Sequence, residues 1–318
     1  MPERANAGLH RLAVLTSGAT FVLLFIGGLV TSTGSGLAVP DWPLSFGQVF
    51  PEMTGGVLFE HGHRLAASVV GMLTLGLALW TVVREPRPGV RALALLALFA
   101  VILQGVLGGV TVLYKLPLAV SVTHACLAQV FFCLTVTLAI VTGRRWTAPE
   151  QRVPASGSPA VPTLAAAATA VVFAQIALGA LVRHMGAGLA IPDFPLAFGR
   201  VIPPLVTPLI TVHFAHRVGA LVVTTVVVWM VARVLRTHAD VAGLRRPALL
   251  AAGLLLLQLS LGALTIWSHR AVVPTTAHLA IGGALLATCL TLSLRSARLL
   301  AASVAPARSL PLREGALA

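Results

Sequence analysis

Acidic side chains are scarce in this chain: nine Asp and Glu among 318 residues, with all charged residues together at 10%. So little charge excludes a water-soluble enzyme of two domains, and the 57% hydrophobic share places the chain among integral membrane proteins. Cysteine is scarce too. Cys126, Cys133 and Cys289 fall inside apolar runs and not in the outer connections, which excludes a disulfide framework and marks them as small packing residues. The first apolar run is followed by no small-residue cleavage site, and no Arg-rich, acid-poor organelle presequence is found, so the expected location is a prokaryotic cell (plasma) membrane crossed many times.

What the chain has is apolar length. Crossing roughly 30 Å of hydrocarbon takes about 20 residues of helix. Eight windows of that kind lie near 10–31, 60–83, 91–113, 119–142, 162–184, 212–236, 247–269 and 273–296. A net charge of +13 with pI near 11.7 would point to nucleic acid in a soluble protein, but here the basic residues are sorted by side. The N-terminus, the second, fourth and sixth connections and the tail hold all but six of the 22 Lys and Arg. The opposite side has Lys115, Arg183, Arg200 and Arg270, and the spans keep Arg64 and Arg217. By the positive-inside rule both termini are cytoplasmic, and the basic balance reports topology, with no nucleic-acid partner.

The chain also repeats itself. Gly27-Gly28-Leu29-Val30, Gly34-Ser35-Gly36-Leu37 and Pro40-Asp41-Trp42-Pro43-Leu44 return, 152 residues on, as Gly179-Ala180-Leu181-Val182, Gly186-Ala187-Gly188-Leu189 and Pro192-Asp193-Phe194-Pro195-Leu196. Gln104, Leu107, Gly108 and Thr111 return as Gln258, Leu261, Gly262 and Thr265 at an offset of 154. The fold class expected is therefore an all-α integral membrane protein, with eight transmembrane helices in two tandem pseudo-symmetric four-helix bundles. The first bundle takes residues 1–142 and the second 162–298. Residues 143–161, rich in Arg, Pro and Ser, form a cytoplasmic linker, and 299–318 a loosely ordered cytoplasmic tail.

Four histidines occupy matching places, His63 and His124 in the first half and His216 and His278 in the second, each a handful of residues into an even-numbered span. Side chains that hold metals are costly inside a membrane, so an equivalent pair in each repeat points to metal or haem. Two imidazoles at one depth on facing helices suit bis-His haem ligation better than zinc, which needs more ligands than either pair supplies. Glu60 lies three residues before His63 and four before Arg64, on the same helical stripe, so it can face the ligand. His213 stands in its place in the second half, where it can orient a ligand as an outer-shell group. Arg64 and Arg217 suit carboxylates, with haem propionates the obvious candidates. His10 and His238 are expected to be solvated, His184 and His269 to end helices at the outer surface, and His61 to face away from His63.

The Glu-x-x-His-Arg signature, the four histidines on even spans, the duplicated bundle and the Gly-x-Gly-Leu…Pro-Asp-Trp-Pro outer loop together resemble haem A synthase, over roughly residues 10 to 296. The resemblance implies oxidation of the C8 methyl of haem O to a formyl group by successive hydroxylations, for assembly of haem-copper terminal oxidases. It places the haem O substrate near Glu60, His63, His124 and Arg64, with Glu60 as base or electrostatic stabiliser. It places a permanent haem b, with its iron between His216 and His278, near Arg217 and His213. Haem O synthase (protohaem farnesyltransferase) and the oxidase assembly line are the implied partners, beside membrane lipid, and a homo-oligomer is left open. Many members of the family carry a Cys pair where this chain has Val39 and Ser45, matched in the second half by Ile191 and Ala197. Packing of Trp42, Pro43 and Phe46 is then expected to hold the loop. The competing function is a bis-His di-haem cytochrome b that carries electrons to or from quinone, which the histidines fit equally but Glu60 does not. A transporter of parallel repeats is a third class, and the spans lack its paired midplane breaks.

Overall fold

Backbone N–H and C=O groups cannot stay unpaired in hydrocarbon, so each apolar window closes its hydrogen bonds internally as a helix. The computed structural model describes residues 6–148 and 153–301. It contains eight long helices: α1 (Ala7–Ser32), α2 (Gly55–Arg84), α3 (Pro88–Leu113), α4 (Leu118–Val141), α6 (Val161–His184), α7 (Pro208–Thr237), α8 (Ala242–Trp267) and α9 (Val272–Leu299). All eight are long and apolar enough to span a membrane. A one-turn helix, α5 (Arg144–Thr147), and a two-residue strand, β1 (Val153–Pro154), lie between the halves.

Helices α1 to α4 pack in a ring, each on its neighbours with α4 closing on α1, and α6 to α9 repeat that ring. The rings meet through α1, α4, α6 and α9. Two buried cores result, one around Leu77, Phe131 and Leu138 and the other around Met230, Leu285 and Leu292. Met72, Leu79, Phe99, Leu221 and Leu256 stay exposed on α2, α3, α7 and α8, the outward helices, as side chains solvated by lipid tails do. The repeat extends to the backbone: Gly34 and Gly186 are left-handed at φ +71° and +73°, and the tight turns after α3 and α8 put Lys115-Leu116 and His269-Arg270 in the same unusual region.

Three expectations about limits change. Helices α2 and α7 begin five and four residues earlier than the apolar windows at 60 and 212, so Glu60, His63, His213 and His216 lie in their second and third turns. Helix α8 begins before Pro247, not at it. Pro247 has no N–H for the carbonyl of Gly243, and Arg295 Nη1 contacts that carbonyl instead, at 3.5 Å. The tail expected from 299 is ordered at its start: Leu300–Ala301 form β2, which pairs in parallel with β1 of the linker. The remainder of the tail, 302–318, lies outside the described residues, as do linker residues 149–152.

Candidate functional site

His63 and His124 sit on α2 and α4, diagonally opposite in the first ring, and His216 and His278 sit on α7 and α9 in the second. The diagonal is the widest internal span of a four-helix ring. Every ring rests edge-on against a glycine of a neighbouring helix. A Cβ added at Gly27, Gly108, Gly179 or Gly262 would stand 3.1, 3.3, 3.0 or 3.2 Å from Cε1 of His63, His124, His216 or His278. Those contacts are closer than a methyl normally accepts, so the glycines are cradles shaped for imidazoles. Among the buried polar atoms of the first half that have no hydrogen bond are Nδ1 of His63 and Nδ1 of His124. Among the described residues no three of His, Cys, Asp and Glu converge, so the donors come as pairs. Paired buried imidazoles across a bundle fit the two axial positions of a haem.

Three glutamines attend these rings. Gln175 Nε2 lies 3.1 Å from Nδ1 of His216 and donates to its carbonyl at 2.7 Å. The carbonyl of Gln258 accepts from Nδ1 of His278 at 3.1 Å, which leaves Nε2 as the ligating nitrogen, although the Gln258 amide rests 3.4 Å from it. Gln104 Nε2 meets Nε2 of His124 at 3.3 Å and donates to its carbonyl. Gln104 and Gln258 were visible only as members of the repeat. Gln175 was missed altogether, though aligning the halves at 152 puts Leu23 opposite it, and that contrast was the available signal.

Glu60 is 4% exposed. Its Oε2 accepts from the Val39 N–H at 2.9 Å, and its Oε1 lies 2.7 Å from Nη2 of Arg64. His213 is equally buried and does the same work in the second half: Nδ1 accepts from Ile191 N–H at 3.2 Å, and Nε2 faces Nε of Arg217 at 3.4 Å. Carboxylate and imidazole thus anchor matching loops through matching backbone groups. Arg64 also donates to the carbonyls of Val39, Asp41 and Leu44, and Arg217 to those of Ile191, Asp193 and Leu196. The two guanidinium groups expected at propionates therefore face the outer loops and staple them over the bundles.

That arrangement corrects the expectation that Trp42, Pro43 and Phe46 hold the first loop. Trp42 and Phe46 are 41% and 52% exposed, and only Trp42 packs inward, onto Gly109. The loop is held by polar pins. Asp41 accepts from the N–H groups of Gly47 and Phe46, which hold its carboxyl below the usual range, and Asp193 does so with Gly199 and Phe198. His61 is buried, with Nδ1 2.7 Å from Oγ of Ser45 in the first outer loop. His238, expected in solvent, is also buried, against Thr237 and the Pro154 carbonyl, because β1 folds back over the end of α7. His10 is half-buried beside Thr142, and the three cysteines lie in α4 and α9 as expected.

Comparison with known proteins agrees with this site. The family model for the cytochrome oxidase assembly protein COX15-CtaA matches residues 53–290. The chain is 32% identical to a haem A synthase of Symbiobacterium thermophilum over 80% of this chain and 85% of that one. It is 33% identical to the haem A synthases of Shouchella clausii, over 69% and 73% of the two chains, and of Halalkalibacterium halodurans, over 71% and 76%. With two cradled histidine pairs inside eight membrane-spanning helices and a match across both halves, the chain belongs to the COX15-CtaA family of cytochrome oxidase assembly proteins.

Proposed function

We propose that this protein is a haem A synthase that oxidises the C8 methyl of haem O to a formyl group. The N-terminal half, residues 1–142, takes haem O as substrate between His63 and His124. The C-terminal half, 162–298, keeps a haem b between His216 and His278. When bound, haem b supplies a one-electron redox couple. The observation that carries the proposal is the pair of equivalent imidazole cradles that differ in their neighbour: the first has a buried carboxylate one turn from His63, the second an imidazole one turn from His216.

The chain's own residues perform four tasks in this scheme. The histidines would hold each haem iron, and the glycines opposite them set how closely each imidazole seats. Gln104 and Gln258 steady His124 and His278, and their amides give way where they rest on a ligating Nε2. Glu60, with Arg64 and the Val39 N–H as its partners, is a fixed negative charge that stabilises positive character developing at the substrate's edge. Arg64 and Arg217 pin the loops that exclude water. His213 keeps the second loop closed without adding a reactive charge. Both termini face the cytoplasm in a prokaryotic plasma membrane. Haem O arrives from its synthase, and the product passes to terminal oxidase assembly.

The test is extraction and chromatography of the haems from purified protein. Haem O or haem A beside haem b is expected. Haem b alone would overturn the proposal in favour of a di-haem electron carrier.

A further inference from the structure

One stripe of α6 differs sharply from its duplicate. Gln175, Gly179 and Arg183 follow one another at four-residue steps, so they share a face. Gly179 cradles His216, Gln175 meets the same ring from one turn inward, and Arg183 stands one turn outward. The matching stripe of α1 is Leu23, Gly27 and Thr31: the cradle is kept, while the amide gives way to an apolar side chain and the cation to a hydroxyl.

Arg183 is also in an unusual position for a cation. It is partly buried, and Nη2 donates to the carbonyl of Gly28 at 3.1 Å and to Oγ of Ser32 at 2.6 Å, both on α1 and both neutral. Arg183 stands one turn from the Gly179 cradle of His216, and Arg270 lies against Gly188 in the loop that follows α6. The ion pairs among the described residues are Glu60 with Arg64 and Glu85 with Arg87, so neither Arg183 nor Arg270 has a carboxylate partner there. A partly buried cation with only neutral partners, one turn from a histidine cradle and with a second cation near the same end of α6, suits an anionic ligand. Haem carries two carboxylates on one edge. Arg217, by contrast, is already turned to three loop carbonyls.

We propose that Gln175 and Arg183 are the device that retains haem in the C-terminal half, Arg183 with Arg270 binding a carboxylate of the haem edge and Gln175 holding the His216 ring. Leu23 and Thr31 in the matching places leave the N-terminal half free to exchange substrate for product. The contact of Gln175 is at Nδ1, the nitrogen that a metal on Nε2 leaves over. The same amide donates to the His216 carbonyl at 2.7 Å, so Gln175 steadies the turn of α7 that carries the ring. The inference rests on haem b residing in the C-terminal half.

The experiment follows release of haem b from purified holoprotein to excess apomyoglobin. The double variant Gln175→Leu with Arg183→Thr, which copies the first-half stripe, should release haem b at least about tenfold faster, the scale of an outer-shell partner. Arg183→Lys should recover much of the retention. Ser32→Ala removes the shorter of the two bonds from Arg183 to α1 while leaving the charge, and should release haem b at the parental rate. The reverse variant, Leu23→Gln with Thr31→Arg, leaves the C-terminal half untouched and should slow release of haem O. Parental release from either double variant would overturn the proposal, and so would Ser32→Ala releasing haem b as fast as Gln175→Leu with Arg183→Thr, since Arg183 would then act through the interface of the halves. A low-spin haem b spectrum that survives both His216→Ala and His278→Ala would instead remove the assignment beneath it, and the inference with it.

Discussion

The duplicate half contains the control for Glu60. In the second half His213 does the anchoring that Glu60 does in the first, so Glu60→His copies an arrangement this chain already builds. The substituted imidazole can accept from Val39 N–H as His213 accepts from Ile191 N–H, and Arg64 keeps its bonds to the carbonyls of Asp41 and Leu44 at 2.8 and 2.9 Å. What is lost is the 2.7 Å ion pair and the charge itself. Breaking a buried pair costs about 3–5 kcal/mol when the remaining ion is stranded, but Arg64 retains carbonyl partners, which brings the expected loss of stability down to about 1–2 kcal/mol. Turnover should fall much further, by about 100-fold or more, if the charge stabilises the reacting edge or handles its protons. Glu60→Gln is the companion variant. It turns an N–H of its amide against either Val39 N–H or Arg64, so it should be the less stable of the two and equally inactive. The assay is conversion of haem O to haem A in membranes, with haem content and thermal unfolding measured on the same preparations. Haem O or its singly hydroxylated product should accumulate on both variants. If Glu60→His forms haem A at the parental rate, Glu60 is a loop anchor only and its chemical role must be abandoned.

Other substitutions test the remaining links. His216→Ala or His278→Ala should abolish the low-spin haem b spectrum, whereas His63→Ala or His124→Ala should leave it and stop haem A formation; optical spectra of the purified variants decide. Gly27→Ala and Gly179→Ala place a methyl about 3 Å from a histidine ring and should cut haem binding in their own half, while Gly62→Ala, which meets nothing within 4 Å, should be neutral or stabilising by up to about 1 kcal/mol in thermal unfolding. Thiol alkylation of intact membranes should leave activity nearly unchanged, since the cysteines lie inside α4 and α9; a large loss would mean that one of them is accessible and needed. Asp41 and Asp193 are held below their ordinary 3.8 in the folded loops, so their caps are fully present above that pH and are lost as pH falls through the lowered values. Limited proteolysis should therefore cut the outer loops faster at the acid end, and Asp41→Asn should show that sensitivity at neutral pH; equal protection in Asp41→Asn would refute the capping role.

How much of this was legible in the sequence depends on what each feature answers to. The eight helices were, because an apolar window of spanning length has one way to satisfy its backbone. The starts of α2 and α7 were not, because Gly55-Gly56 and Pro208 read as loop chemistry and become helix only where the stapled loop delivers the chain to them. The four histidines were legible through the repeat, but their surroundings were only half so. Residues equal in both halves, such as Gln104 and Gln258, showed in the alignment, whereas Gln175 and Arg183 depend on a difference between halves and on a neighbour across the molecule. His238 was misplaced for a similar reason: β1 covers it from a linker more than 80 residues away, and no local pattern signals that.

The same contrast bears on how one duplicated fold comes to do two things. Both halves keep the glycine cradles, the stapled loops and the capping aspartates, so these are what either half needs to hold a planar group between imidazoles. The positions that differ divide into two kinds. Glu60 against His213 exchanges a charge for a neutral acceptor while leaving the loop anchor in place, a change with little structural consequence and a large electrostatic one. Leu23 and Thr31 against Gln175 and Arg183 remove directional hydrogen bonds and a cation from one pocket while leaving its shape. A half with a charge but few anchors suits a substrate that must react and leave; a half with anchors and no reactive charge suits a group that must stay. Swapping the two kinds of position separately should therefore separate the properties, with Glu60→His halting chemistry at unchanged exchange and Leu23→Gln with Thr31→Arg slowing exchange before it affects chemistry. Single-turnover and steady-state rates of haem A formation tell these apart, and a variant of the second kind that lowers the single-turnover rate as much as the steady-state rate would show that retention and reactivity are not independently built.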